Sequence, residues 1–320
     1  MNRFENVTDG IAGYKSLRWS LALLLAAFIS GCGGNDPILG VNVSGAASAG
    51  PAGVTTANIL GTAAPFGIAA TAGITNTNTA PITTINGDVV LDPTLTCNGT
   101  GVPGGVGSAG FGPCGPTIPT SIPALTGTVF ITGNPPTAQV IADLKAGFLK
   151  ITPPSGPPAA GSLGGATNIP AGTTLGAVTG SALVVGDNLF FPGVYQSITS
   201  ILITDDLTLD AQGNPNAVFV FQSSSTVGTA DGSPGIHTRI LLKNGAKASN
   251  VWWQAASSTT LGLYSEFNGN ILAAFDITMK TNATSCGRLF AGAWSGGSGA
   301  FVFNANVVSV PGNVNAPLCL

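Results

Sequence analysis

Asp205, Asp206 and Asp210 form the carboxylate cluster of this 320-residue sequence. Paired carboxylates perform the acid and base steps of glycoside hydrolysis, and hard oxygen ligands also suit calcium. Within residues 204–210, however, the acids stand at both ends of an alternating strand pattern and do not converge on one substrate. The Asp- and Gly-rich nonapeptides of calcium-binding β-rolls are absent from the sequence. We therefore interpret these aspartates as solvated turn residues.

His237 is the one histidine of the chain, so the sequence excludes a His-rich zinc site, and any Ser/His/Asp relay would have to include this residue. No Gly-x-Ser-x-Gly motif supplies a nucleophile for such a relay. The neighbours Trp252 and Trp253 must point to opposite sides of a strand. One is expected in the core, and the other either packs beneath another segment or forms an exposed stacking surface for sugars. The sequence therefore predicts a protein that is not an enzyme and needs no cofactor or metal.

Charged residues make up only 7% of the chain, against roughly 25% in an ordinary soluble domain. Thr, Ser, Asn and Gly must therefore cover much of the surface. Ten Lys and Arg residues stand against thirteen Asp and Glu residues without a basic run, which excludes nucleic acid as a partner. The small net charge of -3 and the mean hydropathy of +0.42 predict a packed domain instead of a disordered chain.

The N-terminal segment has the pattern of an export signal. Lys15 and Arg18 precede an apolar run over residues 21–29, which is too short to span a bilayer. The run ends in Ile29-Ser30-Gly31-Cys32, which resembles the bacterial lipoprotein box. This resemblance predicts a signal peptide over residues 1–31, lipidation of Cys32 and a flexible tether over residues 32–57. The chain would then be exported and anchored by lipid to the bacterial envelope or cell surface, with an ordinary secretory signal as the alternative.

The cysteine count agrees with lipidation of Cys32, because four other cysteines remain for two disulfides. Three pairings are possible among them. Proximity along the chain favours Cys97 with Cys114 and Cys286 with Cys319.

Short strand-like segments recur along the second half of the chain. Segments 219–222, 252–255, 270–273 and 288–291 resemble one another at intervals of 33, 18 and 18 residues. An 18-residue period that holds three short strands fits one turn of a β-solenoid with three sides. A β-sandwich also accommodates short strands, but its strands have no reason to keep a fixed interval. We therefore predict a mainly β protein that folds as a three-sided β-solenoid.

One segment breaks the β pattern. Asn134-Pro135-Pro136 begins a helix pattern in which Ile141, Leu144 and Phe148 follow at helical spacing, and Pro153-Pro154 ends it. The pattern predicts one helix over about residues 135–150. Its apolar stripe must lie along one face of the solenoid, which is then unavailable to partners.

Threonines recur at corresponding places in successive turns, so that their stacked side chains would form a flat, uncharged face. Methyl groups cage water, hydroxyl groups anchor it, and the spacing between strands lies close to a repeat of the ice lattice. Such a face suits ice or ordered water, although threonine is also simply a good strand former. The candidate ice-binding residues are Thr226, Thr229, Thr259, Thr260, Thr278, Thr281 and Thr284.

Several passages resemble the secreted ice-binding proteins of cold-adapted microbes, and they cover nearly the whole chain from about residue 58 to residue 310. The most specific passage is Gly213-Asn214-Pro215-Asn216-Ala217-Val218-Phe219-Val220-Phe221-Gln222. The others are Leu60-Gly61-Thr62-Ala63 with Phe66, Gly73-Ile74-Thr75-Asn76-Thr77, Ile85-Asn86-Gly87-Asp88-Val89, Pro192-Gly193-Val194-Tyr195, Leu207-Thr208-Leu209-Asp210, Gly245-Ala246 with Asn250-Val251-Trp252-Trp253-Gln254, and Gly269-Asn270-Ile271-Leu272-Ala273.

The resemblance implies an irregular right-handed β-solenoid over residues 58–320 with one helix alongside and a cap insertion at about residues 93–133. It also implies ice binding through a face marked by Thr, then Ala or Gly, any residue, then Thr or Asn. Thr281-Asn282-Ala283-Thr284 comes near that pattern, whereas Leu263 and Tyr264 are expected to roughen the face. The expected function is non-catalytic ice binding that inhibits ice growth or recrystallisation or holds a cell to ice. A surface adhesin or envelope protein that binds carbohydrate or another surface is the alternative.

Overall fold

The computed structural model describes residues 49–77, 81, 83–94, 97–99, 124–176, 188–312 and 319. These residues belong to one compact unit, Ile38–Leu320. The signal segment, Cys32 and Cys114 lie outside the described residues. Lipidation of Cys32 and the pairing of Cys97 with Cys114 therefore stay predictions.

The described chain is a β-solenoid in which a turn consists of three short strands, one on each face. Strands are numbered along the chain, and each strand pairs in parallel with its counterparts in the neighbouring turns. On the first face the order is β7 (Val129–Ile131), β4 (Asp88–Leu91), β1 (Phe66–Ala70), β23 (Leu289–Ala291), β20 (Asn270–Ala273), β17 (Val251–Ala255), β14 (Phe219–Ser223), β11 (Gly193–Ser197) and β8 (Thr167–Ile169).

The other two faces repeat this order of turns. The second face consists of β5 (Cys97–Gly99), β2 (Ile74–Asn76), β24 (Phe301–Phe303), β21 (Ile277–Met279), β18 (Thr259–Leu261), β15 (Val227–Thr229), β12 (Ile201–Ile203) and β9 (Thr174–Leu175). The third face holds two sheets. The larger sheet is β6 (Ala124–Leu125), β3 (Thr84–Asn86), β25 (Val307–Ser309), β22 (Thr284–Cys286) and β19 (Glu266–Asn268), and the smaller one is β16 (Ile240–Lys243), β13 (Leu207–Asp210) and β10 (Leu189–Phe190). The parallel ladders confirm the predicted solenoid over a sandwich.

The order of the turns is not the order of the chain. Ile68 of β1 pairs with Leu289 of β23, so the first turn stacks directly on the last. Strands β4 to β7 extend the stack beyond the first turn, and β8 to β10 lie at its opposite end. The expected insertion at about residues 93–133 contributes strands β5, β6 and β7, while its residues 100–123 lie outside the described part of the chain.

Buried side chains stack along the interior of the solenoid because the strands pair in register. Tyr195, Phe221 and Trp253 occupy the same position in β11, β14 and β17. The rings of Phe221 and Trp253 are parallel within 10°, with centroids 4.1 Å apart. The ring of Tyr195 stacks on the other side of Phe221, with centroids 5.2 Å apart. All three side chains are almost fully buried. Each large aromatic side chain buries about 150–250 Å² of surface. A few residues per turn are therefore enough to form a continuous core.

The long helix, Thr137–Ile151, packs its apolar side on the outer surface of the first face. Val140, Leu144 and Phe148 contact that surface, where Trp252 of β17 is completely buried. The helix begins after Pro136, whose side chain has no hydrogen-bonding group, so the helix has no side-chain cap. The side chain of Asn134 accepts a hydrogen bond from the backbone of Ile131. A second, short helix that the sequence did not predict spans Thr56–Leu60 and also joins this contact.

The structure also has two short 3-10 turns, at Gly61–Ala63 and Ala248–Asn250. Among the residues that the structure describes, no helix has the length and apolar character required to cross a membrane.

Ordered packing begins earlier in the chain than the predicted tether allows. The backbone carbonyl of Ala49 accepts a hydrogen bond of 2.9 Å from the backbone N–H of Val218. Val54 is 4% exposed and belongs to the cluster under the long helix. The expected flexible tether over residues 32–57 is therefore too long, because its last residues bury apolar surface against the domain.

The predicted disulfide between Cys286 and Cys319 is present. Cys286 lies on strand β22 of the third face, so the bond holds the C-terminal Cys319 against that face. The bond closes a loop with a sequence separation of 33 residues, and a crosslink over a loop of that size limits the freedom of the unfolded chain.

Asp143 ties the long helix to the 3-10 turn that precedes the solenoid. Its carboxylate accepts hydrogen bonds of 2.7 Å from the backbone and the side chain of Thr62 and from the side chain of Gln139. Burial by itself raises the pKa of Asp143, but these hydrogen bonds and the charge of Lys150 outweigh that effect and lower the pKa below its ordinary value of 3.8. The folded state therefore favours the ionised carboxylate.

The lowered pKa of Asp143 predicts a loss of stability in acid. A carboxyl group whose pKa is lower in the folded state contributes fully above its unfolded pKa and loses the contribution as the pH falls through its folded pKa. We expect the free energy of unfolding, measured with urea between about pH 5 and pH 2, to fall less steeply in Asp143→Asn than in the parent. The Ala142→Ser variant on the exposed side of the same helix serves as the control. Equal slopes in all three proteins would contradict this role of Asp143.

Candidate functional site

The second face presents one outward row of side chains along the solenoid. In β12, β15, β18, β21, β24 and β2 the first and third residues are buried and the middle residue faces outward. Strand alternation makes this pattern, because a three-residue strand turns two side chains into the core and one away from it. The pairings place these six middle residues and Thr174 of β9 in one continuous row, Thr174, Leu202, Gly228, Thr260, Thr278, Val302 and Thr75.

The row is regular because every one of these strand pairs keeps the same register, without a bulge. Neighbouring strands in a sheet lie about 4.8 Å apart, which sets the repeat between adjacent side chains. Thr260 and Thr278 are direct neighbours at the middle of the row. The β-branched side chain of threonine is restricted about its first torsion, so the position of its hydroxyl and methyl groups is largely set before any contact forms.

A second row of small side chains borders the second face where the chain arrives from the first face. It consists of Ser200, Thr226, Ser258, Asp276 and Ala300, each directly before its strand. The hydroxyl of Thr226 donates a hydrogen bond of 2.8 Å to the hydroxyl of Ser200 in the neighbouring turn. The carboxylate of Asp276 accepts a hydrogen bond of 2.8 Å from the backbone of Ala300. These bonds connect adjacent turns along the border.

Charge at the opposite border is paired. Lys280, which follows β21, forms an ion pair of 2.9 Å with Asp231. The hydrogen bond from Lys280, together with one from the backbone of Leu263, lowers the pKa of the Asp231 carboxyl below its ordinary 3.8. The middle row itself contains no charged residue among the described strands. The second face is therefore a narrow, regular surface with its charges at the edges.

The structure separates the seven predicted threonines. Thr260 and Thr278 lie in the middle row of the second face, and Thr226 lies on its border. The other four do not join them.

Two of these four are turned into the core. Thr229 is 6% exposed, and its hydroxyl accepts a hydrogen bond of 2.7 Å from the backbone of Gly262. Thr259 is 1% exposed, and its hydroxyl has no hydrogen-bond partner in the described part of the chain. The remaining two, Thr281 at the corner after β21 and Thr284 at the start of β22, lie outside the second face. These threonines were chosen by their spacing from turn to turn. That spacing does not tell whether a strand position points into the core or outward.

The segment that comes near the family pattern, Thr281-Asn282-Ala283-Thr284, lies at the corner between the second and third faces. Asn282 and Tyr264 occupy equivalent corner positions, each two residues before the paired residues Thr284 and Glu266. The sequence led us to expect that Tyr264 would roughen the face. Tyr264 instead lies at the corner, outside the row of Thr260 and Thr278.

Sequence reasoning missed the outward residues Thr75, Thr174, Leu202, Gly228 and Val302. The signal for them was present in the sequence as a repeated triplet of core-type, variable and core-type residues, for example Ile201-Leu202-Ile203 and Phe301-Val302-Phe303.

The residues first considered for catalysis have structural partners. Asp206 forms an ion pair with Arg239, whose Nε lies 2.9 Å from the carboxylate. Asp210 accepts hydrogen bonds of 2.9 Å from the side chain of Asn244. Among the described residues, no three His, Cys, Asp or Glu side chains are grouped to hold a metal ion.

Both tryptophans of the pair are completely buried. Trp253 stacks inside the solenoid and donates a hydrogen bond of 3.1 Å to the backbone carbonyl of Asn268. Trp252 packs beneath the long helix. The exposed stacking surface that one tryptophan was considered to form is therefore not present at this pair.

The fold and the second face together define a β-solenoid protein with one regular, weakly charged face. A family model described as "Ice-binding-like" matches residues 68–295. The chain is 33% identical over 253 residues to an ice-binding protein of Nostoc sp. (strain HG1), which covers 79% of this chain and 74% of that protein. It is 28% identical over 279 residues to an ice-binding protein of Flammulina populicola, which covers 84% and 93% of the two chains. The chain therefore belongs to the ice-binding-like family.

Solved structures agree with this membership. The crystal structure of an ice-binding protein from the Antarctic ascomycete Antarctomyces psychrotrophicus matches with a TM-score of 0.55 and 29% identity, over 78% of this chain and 96% of that one. The ice-binding domain of a Shewanella frigidimarina protein matches with a TM-score of 0.57 and 24% identity, over 78% and 95% of the two chains, and supports the fold alone.

The inward position of two predicted threonines leads to opposite expectations for the same substitution. Thr259→Val removes a buried hydroxyl without a partner and is expected to raise the free energy of unfolding by about 1 kcal/mol. Thr229→Val leaves the Gly262 N–H without its acceptor and is expected to lower the free energy of unfolding by about 1–3 kcal/mol. Urea unfolding measures both values. Equal effects of the two substitutions would contradict the described orientation of these side chains.

Proposed function

We propose that this protein binds ice through the second face and acts without catalysis. The observation that carries the proposal is the in-register row that includes Thr260, Thr278 and Thr75, on a face that the long helix does not cover. Membership of the ice-binding-like family supports the same function. Bound in this way, the protein would inhibit ice growth or recrystallisation, or would hold a cell to ice.

The chemistry of the row suits ordered water. A threonine hydroxyl donates one hydrogen bond and accepts two, whereas its methyl group is apolar and orders the water around it. Repetition of these groups at the strand spacing presents a lattice of anchoring points, and the backbone ladders on both sides of each strand hold that lattice rigid. A rigid surface loses little conformational entropy when it adsorbs, which favours binding. Leu202, Gly228 and Val302 interrupt the hydroxyls but keep the row uncharged.

The alternative function, a surface adhesin or envelope protein that binds carbohydrate or another surface, lacks, within the described part of the chain, the exposed Trp patch that would favour it. Trp252 and Trp253 are both fully buried and contribute no surface for stacking. Catalysis is also poorly supported, because Asp206 and Asp210 are engaged by Arg239 and Asn244.

The decisive experiment is partition of the purified domain, without lipid, into a slowly growing ice hemisphere. We expect the parent domain to enter the ice and Thr278→Tyr to remain in the liquid, because a bulky ring in the middle row separates the neighbouring side chains from the ice surface. Thr284→Tyr, a matched substitution on the third face, should enter the ice as the parent does. Exclusion of the parent domain would refute ice binding, and exclusion of Thr284→Tyr alone would place the ice contact on the third face.

We also propose that the mature protein is a lipoprotein exported to the bacterial envelope or cell surface and anchored through Cys32. The support is the sequence Ile29-Ser30-Gly31-Cys32 after an apolar run. An anchored domain would hold a cell at an ice surface, whereas a released domain would act in the surrounding water.

Expression of the full chain in a bacterial host tests the anchor. The parent should fractionate with membranes and incorporate labelled palmitate, whereas Cys32→Ser should lose the label and its processing. Cys286→Ser controls for the loss of a cysteine elsewhere and should keep the label. A parent protein that is secreted without the label would show an ordinary secretory signal instead.

A further inference from the structure

The third face carries a groove of about 290 Å³ that the ice-binding proposal does not use. Strands β19, β22 and β25 form its floor, and Cys319 lines it as well. We call it the third-face groove, and its polar lining includes His237, Tyr264, Glu266, Asn268, Asn282 and Thr284. From this lining we infer that the third-face groove binds a sugar unit of a neutral polysaccharide.

The lining offers hydrogen-bond acceptors in particular. His237 Nδ1 lies 2.8 Å from the carbonyl oxygen of Tyr264, and a carbonyl only accepts, so Nδ1 is the donor in this hydrogen bond. The carboxylate of Glu266 lies beside this ring, with Oε1 3.5 Å from Nδ1, and its side chain is half exposed. Asn268 donates through its Nδ2 to the carbonyl of Ile240, which leaves its side-chain oxygen as a further acceptor.

Tyr264 supplies an aromatic ring at the corner of the groove. Its ring stands nearly perpendicular to that of His237, with centroids 6.3 Å apart. Sugar rings combine hydroxyl donors with apolar C–H faces, so an aromatic wall next to a set of acceptors matches both of their surfaces.

The backbone conformation at Tyr264 indicates that a tyrosine is not the residue that the fold favours at this corner. Its φ of 57° lies in the left-handed region, as do the φ angles of 59° at Asn282 and 56° at Ala305, which occupy the equivalent corners of the next two turns. Asparagine tolerates this conformation well, whereas a bulky residue adopts it only at a cost. Tyrosine at this corner is therefore a costly choice for turn formation, and the aromatic wall of the groove gives the position a use.

Other ligand classes fit the lining less well. Lys and Arg are not among the lining residues, and the Glu266 carboxylate repels anions, which disfavours phosphates and acidic polymers. Strands β22 and β25 of the groove floor are paired on both sides. The outer edge of β19 faces the preceding turn, where the backbone N–H of Glu266 donates to the carbonyl of Thr238 and the Asn268 side chain donates to the carbonyl of Ile240. The floor therefore offers little open edge to which an extended peptide could add as a further strand. A neutral, hydroxyl-rich chain is the ligand that remains.

Affinity electrophoresis in native gels that contain dextran, β-glucan, xylan or mannan tests the inference. We expect at least one of these polysaccharides to retard the parent domain. Tyr264→Asn should raise the dissociation constant about tenfold or more, which corresponds to at least 1.4 kcal/mol. The same variant should melt at the same or a higher temperature than the parent, because asparagine suits the left-handed corner. Loss of retardation then cannot be attributed to unfolding.

Two matched variants separate the groove from the ice-binding face. Thr284→Tyr fills the groove and should lose retardation while it still enters ice. Thr278→Tyr on the second face should show the reverse. The inference is overturned if none of the four polysaccharides retards the parent, if Tyr264→Asn and Thr284→Tyr bind as the parent does, or if Thr278→Tyr alone loses retardation. Ice partition is measured separately, so failure of one proposal does not depend on failure of the other.

Discussion

Parallel pairing in a constant register is the constraint on which the rest of this molecule depends. Each strand of two to five residues is too short to be stable alone and gains its hydrogen bonds from the neighbouring turns. The register that stacks Tyr195, Phe221 and Trp253 inside the solenoid also aligns Thr260 with Thr278 on its surface. Core and surface order therefore have one origin, because a change of register would disrupt both.

The sequence was sufficient to predict the architecture but not which residues form the outward row of the second face. The 18-residue interval and the single helical pattern are local signals, and both correspond to observed elements, with Trp252 paired to Asn270 and the helix at Thr137–Ile151. The predicted interval of 33 residues is wrong by one, because Val220 pairs with Trp252. The outward row follows from alternation inside strands of only three residues, where an error of one residue exchanges surface for core. That is why Thr229 and Thr259 were selected although they are buried, and why Thr75 was missed. The contact of β1 with β23 leaves no local signal at all, because its partners are far apart in the chain.

The three faces differ because their outer sides meet different neighbours. The first face buries Trp252 and Val220 beneath the long helix, and its outward Gln222 donates a hydrogen bond of 2.8 Å to the backbone carbonyl of Ile151 at the end of that helix. The second face has no such cover from the helix and keeps uncharged side chains in its middle row. The third face receives Cys319 through a disulfide and carries the aromatic and acidic groups of the groove. The low content of charged residues is thus a property of the whole solenoid. The position of a residue within its turn decides whether its side chain is buried, covered by the helix or exposed.

The contact between the first and last turns changes how such a molecule can assemble. In an ordinary repeat array each repeat rests only on its sequence neighbours, so a growing stack gains order from one end as the chain emerges. Here β1 to β3 are synthesised early, yet one side of each remains unpaired until β23 to β25 arrive. The first turn therefore completes its pairing only when the last strands of the domain are available, so folding cannot finish before nearly the whole domain has been synthesised. Contacts between segments this far apart in the chain also slow folding.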